Sequence, residues 1–173
     1  MAEAFGWRAT NGSLGDMNEL TVDQYRDAVA NFPTGLVVVT AKVEGELLGF
    51  TCQTFGSLSL EPPRVLFAAG NQGSTWPKIK TTTSVAISIL GASQEQVARA
   101  MATSGQHKFD EVKTTPANNG APLIVGALAH LEGEIERIEN YGDHDIASVL
   151  VTQATFIEGV PLVYCQRSYK FPQ

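Results

Sequence analysis

The chain is short of the residues that build most reactive centres. Among 173 residues there are two cysteines, Cys52 and Cys165, and three histidines, and no cluster has metal-ligand spacing. Both cysteines sit in apolar or strand-like surroundings, so buried free thiols are expected in place of a disulfide. A GxGxxG turn opening a helix, a P-loop, an HExxH helix and a serine in a GxSxG turn are all missing, which disfavours a Rossmann dehydrogenase or a hydrolase. Basic residues are few, 12 against 18 acidic for a net charge of −6. A nucleic-acid or anionic-membrane surface needs clustered Lys and Arg, so neither partner is expected, although a small anion can still be held locally. No apolar run approaches the roughly 20 residues that cross a bilayer. What remains is a hydrophobic share of 43% against 17% charged, enough to build a packed core.

Residues 1–18 lack both a basic start and a continuous apolar stretch, and read as a flexible arm on a cytoplasmic protein, not a secretory leader. Residues 19–173 read as one domain. Thr21 with Gln24 forms a capping box, and Tyr25, Ala28, Val29 and Phe32 recur at helical spacing before Pro33 stops the helix. Gly35 to Ala41 is a β-branched run suited to burial on both faces, returning after Glu44-Gly45-Glu46 as a second strand, Leu47 to Thr51. Cys52 to Ser59 reads as a polar loop, Arg64 to Ala69 as a third strand, and Trp76 to Lys80 as one helical turn begun by Pro77. Val85 to Leu90 is a fourth strand, and Ser93 with Gln96 caps a helix through Val97, Ala100 and Met101. After a polar loop from Thr103 to Gly120 come three strands, Ala127 to Ile138, His144 to Phe156 and Leu162 to Tyr169. Many β segments with few short helices predict a closed barrel, not a doubly wound sheet.

Three segments stand out chemically. The stretch from Gly49 to Pro63 is rich in small and hydroxylated residues whose backbone N–H and Oγ groups suit a polar planar ligand, though an ordinary polar loop has the same composition. Gly142-Asp143-His144 heads an apolar strand, where a lone histidine is either a structural hydrogen-bonder or a working group. Gly73-Ser74-Thr75-Trp76 is either a ligand loop or a capped turn with a core tryptophan.

Taken in order, the segments Phe32-Pro33-Thr34-Gly35, Phe50 to Phe55 with Ser57 and Ser59, Leu60-Glu61-Pro62-Pro63, Lys108-Phe109, Gly120-Ala121-Pro122-Leu123 and Gly142-Asp143-His144 resemble the flavin reductase family, the small reductase components of two-component flavin-dependent monooxygenases. The matches run from Tyr25 to Tyr169. The resemblance implies a mainly β, FMN-binding split β-barrel with short helices, usually a homodimer, reducing free FMN or FAD with NADH or NADPH for a partner monooxygenase. It implies that Leu48, Gly49, Phe50, Thr51, Cys52, Gln53 and Thr54, with Ser57 in the same stretch, run along the isoalloxazine and ribityl chain. Asn71, Gln72, Ser74 and Trp76 would meet the ribityl phosphate or the rest of the flavin. Lys108 would lend charge to that phosphate or else be a solvated surface lysine, and Phe109 would pack beside it. His144 would position the nicotinamide, with Asp143 orienting its ring, while His107 and His130 have weaker claims. Hydride transfer needs two stacked rings about 3–3.5 Å apart, so orientation supplies much of the rate.

Three departures from the family pattern stand out. Gln53-Thr54 replace Asn-Ser, Val149 stands where a glycine is usual and would narrow the space beside the rings, and Arg167 replaces a glycine near the end. If that glycine needs positive φ, the turn there must differ. Two alternatives use the same fold: a flavoprotein that retains its flavin and transforms an organic substrate, and a non-catalytic flavin-binding module.

Overall fold

A computed structural model describes residues 20–105 and 107–170, so the reading of residues 1–18 as an arm lies outside the described residues. Helix α1 (Val22–Val29) begins as the sequence predicts: the Gln24 amide donates to Thr21 Oγ1 at 3.2 Å and the Thr21 amide to Gln24 Oε1 at 3.0 Å. None of its residues is buried. After β1 (Thr34–Gly35), strand β2 (Val37–Val43) realises the β-branched run and sits between two cores. Val37, Val39 and Ala41 face one of them, while Leu36, just before the strand, and Val38 face the other. Strand alternation produces this division, and each fully buried Val or Leu contributes about 1.5–3 kcal/mol.

The remaining strands are β3 (Glu46–Cys52), β4 (Phe55–Leu60), β5 (Pro63–Gly70), β6 (Ser84–Ile89), β7 (Thr114–Pro116), β8 (Pro122–Ile124), β9 (Ala129–Tyr141), β10 (His144–Phe156), β11 (Val163–Cys165) and β12 (Ser168–Lys170). Seven of them form one antiparallel sheet in the order β3-β2-β6-β9-β10-β5-β4. It curls around a core that includes Val39, Phe67, Ile87 and Ala147 from four different strands. The order ends at β3 and β4, so the barrel is split along that line and not closed. Across the split the Cys52 thiol donates to the Ala68 carbonyl at 3.2 Å. Helices α2 (Trp76–Ile79) and α3 (Glu95–Ala102) join the strands, and among the described residues no helix is long and apolar enough to cross a membrane.

Several local readings change. The expected loop from Cys52 to Ser59 contains β4, an edge strand whose Phe55 pairs with Phe67 and whose Leu60 pairs with Pro63; pairing, not side-chain propensity, makes it a strand. The Ser93–Gln96 cap gives way to a bond from the Gly91 amide to Gln94 Oε1, with a 3₁₀ turn Ala92–Gln94 before α3. The loop after Thr103 holds β7, paired with β8. The last predicted strand is a hairpin, β11–β12, because Gln166 and Arg167 turn back with φ of 50° and 60°. Cys165 is only half-buried, and both thiols are free. Val149 points into the barrel and is 2% exposed, so it does not narrow the groove described below. Room for it comes from Gly133 on β9, where a Cβ would lie 2.7 Å from Val149 Cγ1.

Candidate active site

Where β3 leaves the sheet and β4 begins, Gln53 and Thr54 stay exposed at the junction of three adjoining hollows. The central one, about 430 Å³, is lined by Phe50, Cys52, Gln53, Gly70, His144 and Tyr164 among others. It continues past Phe50, Thr51, Gly70 and Ala102 into a cleft of about 250 Å³ that ends on Lys108. In the other direction a hollow of about 910 Å³ shares Gln53, Thr54 and Tyr164 and runs beneath α1 to Tyr25, Phe32 and Arg167.

Lys108 is not a solvated lysine: it is 9% exposed, on the 3₁₀ turn His107–Phe109. Its ammonium donates to the carbonyls of Gly49 at 3.2 Å and Met101 at 3.3 Å, and to Thr75 Oγ1 at 3.2 Å. None of these partners is an anion, so the hydrogen bonds are satisfied while the charge is not balanced. Burial accordingly pulls its pKa down. Ser74, Thr75, Thr103 and Ser104 line the same cleft with hydroxyls. A buried cation among hydroxyls suits a phosphate group, and the hollow leading to it, about 430 Å³, has the volume of a small-molecule site.

At the other end, the tight turn Gly142-Asp143 joins β9 to β10, with Gly142 at φ 65°. His144 is half-exposed, and its Nδ1 meets Asp143 Oδ1 at 2.8 Å. An ionised carboxylate only accepts, so Nδ1 carries the hydrogen and the neutral ring keeps Nε2 as an acceptor. That hydrogen bond holds the Asp143 carboxyl below the usual range. A Cβ on Gly70 would stand 3.8 Å from His144 Nε2, so a glycine there keeps the floor beside the ring low.

Of the residues singled out in the sequence, Phe50, Thr51, Cys52, Gln53, Thr54, Ser74, Trp76, Lys108 and His144 line the central hollow or the Lys108 cleft. Their contributions differ. The Cys52 thiol points into the barrel, where burial pushes its pKa up to about 11. Thr51 Oγ1 donates to the Ala98 carbonyl at 2.6 Å. Trp76 is 2% exposed and stacks edge-to-face on Phe50 and Phe67, its indole N–H turned to Asp145 at 2.9 Å. Leu48 is in the barrel core, and Gly49 offers the site only its carbonyl. Phe109 packs in the second core, as the sequence suggested. The structure does not bring Ser57, Asn71 or Gln72 into the groove; Asn71 instead braces the Gly142-Asp143 turn, donating from Nδ2 to the Gly142 carbonyl at 3.2 Å. His107 pairs with Asp110 on the surface, and His130 meets Ser88 Oγ at 3.1 Å.

Sequence reasoning missed Ala102 and the tyrosine pair of the terminal hairpin. Tyr164 and Tyr169 meet edge-to-face at 5.1 Å, with the Arg99 guanidinium 4.5 Å from the Tyr169 ring centre, and both line the central hollow. Thr75 belongs to the Gly73–Trp76 segment singled out above, though the family resemblance gave it no role of its own. The tyrosines gave no signal, because only the hairpin turn brings them to the groove.

A family model described as flavin reductase like domain matches residues 29–172. The NADH-dependent FAD reductase of Streptomyces globisporus is 39% identical over 137 residues, covering 76% of this chain and 75% of its own. The reductase subunit HsaB of a flavin-dependent monooxygenase from Rhodococcus jostii is 30% identical over 147 residues, covering 84% and 75%. Among solved structures, the Streptomyces globisporus NADH:FAD oxidoreductase SgcE6 in complex with NAD and FAD fragments superposes with a TM-score of 0.80 at 36% identity, over 86% of this chain and 90% of that one.

Proposed function

This chain belongs to the flavin reductase-like family, and from that premise we propose how its groove carries the reaction. It is an NAD(P)H:flavin oxidoreductase, reducing free FMN or FAD and supplying the product to a flavin-dependent monooxygenase. The balance is one hydride from the dihydronicotinamide and one proton from solvent, giving the oxidised nicotinamide and the dihydroflavin. A flavin in the groove supplies the hydride acceptor. The observation that carries the assignment of ends is the buried, unbalanced Lys108 at one end of a continuous groove and the exposed His144 on its wall.

In this reading Lys108 with Ser74 and Thr75 holds the phosphate. The backbone of Thr51 and Cys52 and the side chains of Gln53 and Thr54 hold the polar edge of the ring. His144, fixed by Asp143, offers Nε2 to the carboxamide of NADH or NADPH. No group here needs to transfer a proton at the hydride step; the side chains bind and orient. Residues 19–173 form the catalytic domain of a cytoplasmic homodimer. Phe32, Leu60 and Phe156, 74%, 89% and 83% exposed, are apolar side chains that a second copy would cover.

The test is NADH and NADPH consumption by the purified protein without flavin, with FMN and with FAD. Turnover that requires an added flavin is expected. No flavin-dependent consumption of either nicotinamide would end the assignment.

A further inference from the structure

We infer that Asn140 and Asp145 are positioning residues that hold the turn bearing His144 in register with the phosphate end of the groove. The inference deepens the proposed function and rests on His144 facing the nicotinamide. The His144 imidazole is half-exposed and, among the described residues, hydrogen-bonded only to Asp143, itself largely exposed. Packing therefore does not place the imidazole; the position of its turn does.

Two asparagines grip that turn. Asn71 donates from its backbone N–H to the Asp143 carbonyl at 3.0 Å and from Nδ2 to the Gly142 carbonyl. Asn140 Nδ2, across the hairpin, spreads its two protons over the Gly142 carbonyl at 3.3 Å, the His144 carbonyl at 3.4 Å and Asp145 Oδ1 at 3.0 Å. The second carboxylate oxygen of Asp145 accepts from the Trp76 indole at 2.9 Å and from Lys80 Nζ at 3.0 Å. Trp76 follows Thr75, whose hydroxyl accepts from Lys108. Bonds thus run without a break from the phosphate-binding cation through α2 and Asp145 to the backbone beside His144.

A carboxylate only 4% exposed is costly to bury unless every lone pair is engaged. A well-packed apolar residue commonly serves stability as well as a buried ion pair does. Asp145 is the residue after His144, and its donors come from α2 and β9, so what the carboxylate adds is a fixed separation between two binding ends. Such preorganisation lowers the ordering cost of binding a second, stacked ring.

The test is a steady-state cycle on Asn140→Ala, His144→Ala and the double variant, with FMN binding measured separately. Asn140 is exposed, so its truncation leaves the core intact. Asn140→Ala should raise the KM for NADH roughly tenfold, leaving kcat and the FMN dissociation constant within about twofold. In the His144→Ala background the same change should add less than about twofold, since the two act through one contact. Asp145→Asn, which presents an amide N–H to Asn140 in place of an acceptor, should reproduce the KM shift. Full multiplication of the Asn140 and His144 effects, or a matching loss of FMN affinity, would overturn the network while leaving the role of His144 standing. No change in NADH KM on His144→Ala would remove that role, and the network with it.

Discussion

Replacing Lys108 by methionine keeps the apolar stem and removes the charge, so ligand binding and folding should respond with opposite signs. The ammonium has three neutral partners at 3.2–3.3 Å and sits in a hydroxyl-lined cleft. A phosphate entering there trades weak neutral contacts for a charge-assisted bond, worth about 1.5–3 kcal/mol. At about 1.4 kcal/mol per tenfold, FMN should bind roughly 10- to 150-fold more weakly to Lys108→Met. Riboflavin has the same ring and no phosphate, so its affinity should move by less than about twofold. Folding responds the other way. Burial lowers the folded-state pKa of Lys108, so the charged side chain opposes folding at every pH below its unfolded pKa. The ligand-free variant should melt at the wild-type temperature or above. Flavin fluorescence titration and thermal melts supply both readings. Equal weakening of FMN and riboflavin, or unchanged FMN affinity in folded protein, would refute the placement of phosphate at Lys108.

Three further outcomes follow from packing and titration. A Cβ at Gly49 would lie 3.1 Å from Phe109 Cζ, 3.2 Å from Thr40 Cγ2 and 3.3 Å from Met101 Sδ. Gly49→Ala should therefore cost about 1–3 kcal/mol in a urea titration, and an unchanged midpoint would contradict the tight packing. The Cys52 thiol, buried with its pKa pushed up to about 11, should resist iodoacetamide at neutral pH. Intact mass should then show one adduct, at Cys165, and a second on folded protein would mean Cys52 is open to reagent. The Asp145 carboxyl is held far below its usual range by Asn140, Trp76 and Lys80. Its stabilisation is present above the ordinary carboxylate pKa and lost as pH falls through the depressed value. Asp145→Asn should flatten the acid limb of the stability curve below about pH 4; an acid limb as steep as wild type would count against the ionised carboxylate.

Legibility from sequence followed the physics of each element. Helix α1 was readable because its capping bonds are local, and β2 and β6 because β-branched runs suit two-sided burial. Strand β4 was hidden because Ser57, Leu58 and Leu60 are exposed on an edge and only pairing with β5 identifies them. The terminal hairpin was hidden because its turn uses Gln166 and Arg167 in left-handed conformations that normally call for glycine. Long-range bonds sustain it: the Gln166 amide donates to the Ala30 carbonyl and Arg167 pairs with Asp27, both at 2.6 Å. The groove itself was largely legible between Phe50 and Thr54 and at His144. Lys108 was legible as a candidate, but its burial was not, since that depends on Gly49, Thr75 and Met101 converging from distant segments. Whether Trp76 faced a ligand or the core was decided by Asp145, 69 positions away.

The terminal hairpin also divides the barrel from its groove. All seven strands of the large sheet precede Val163, whereas Tyr164 and Tyr169, which wall the central hollow, come after it. The hairpin's own strand partner is β1, outside the large sheet. The segments that curl around the core and the segment that flanks a ligand are therefore separate along the chain, so substitutions in the hairpin can reshape one side of the groove without touching a single ladder of the barrel.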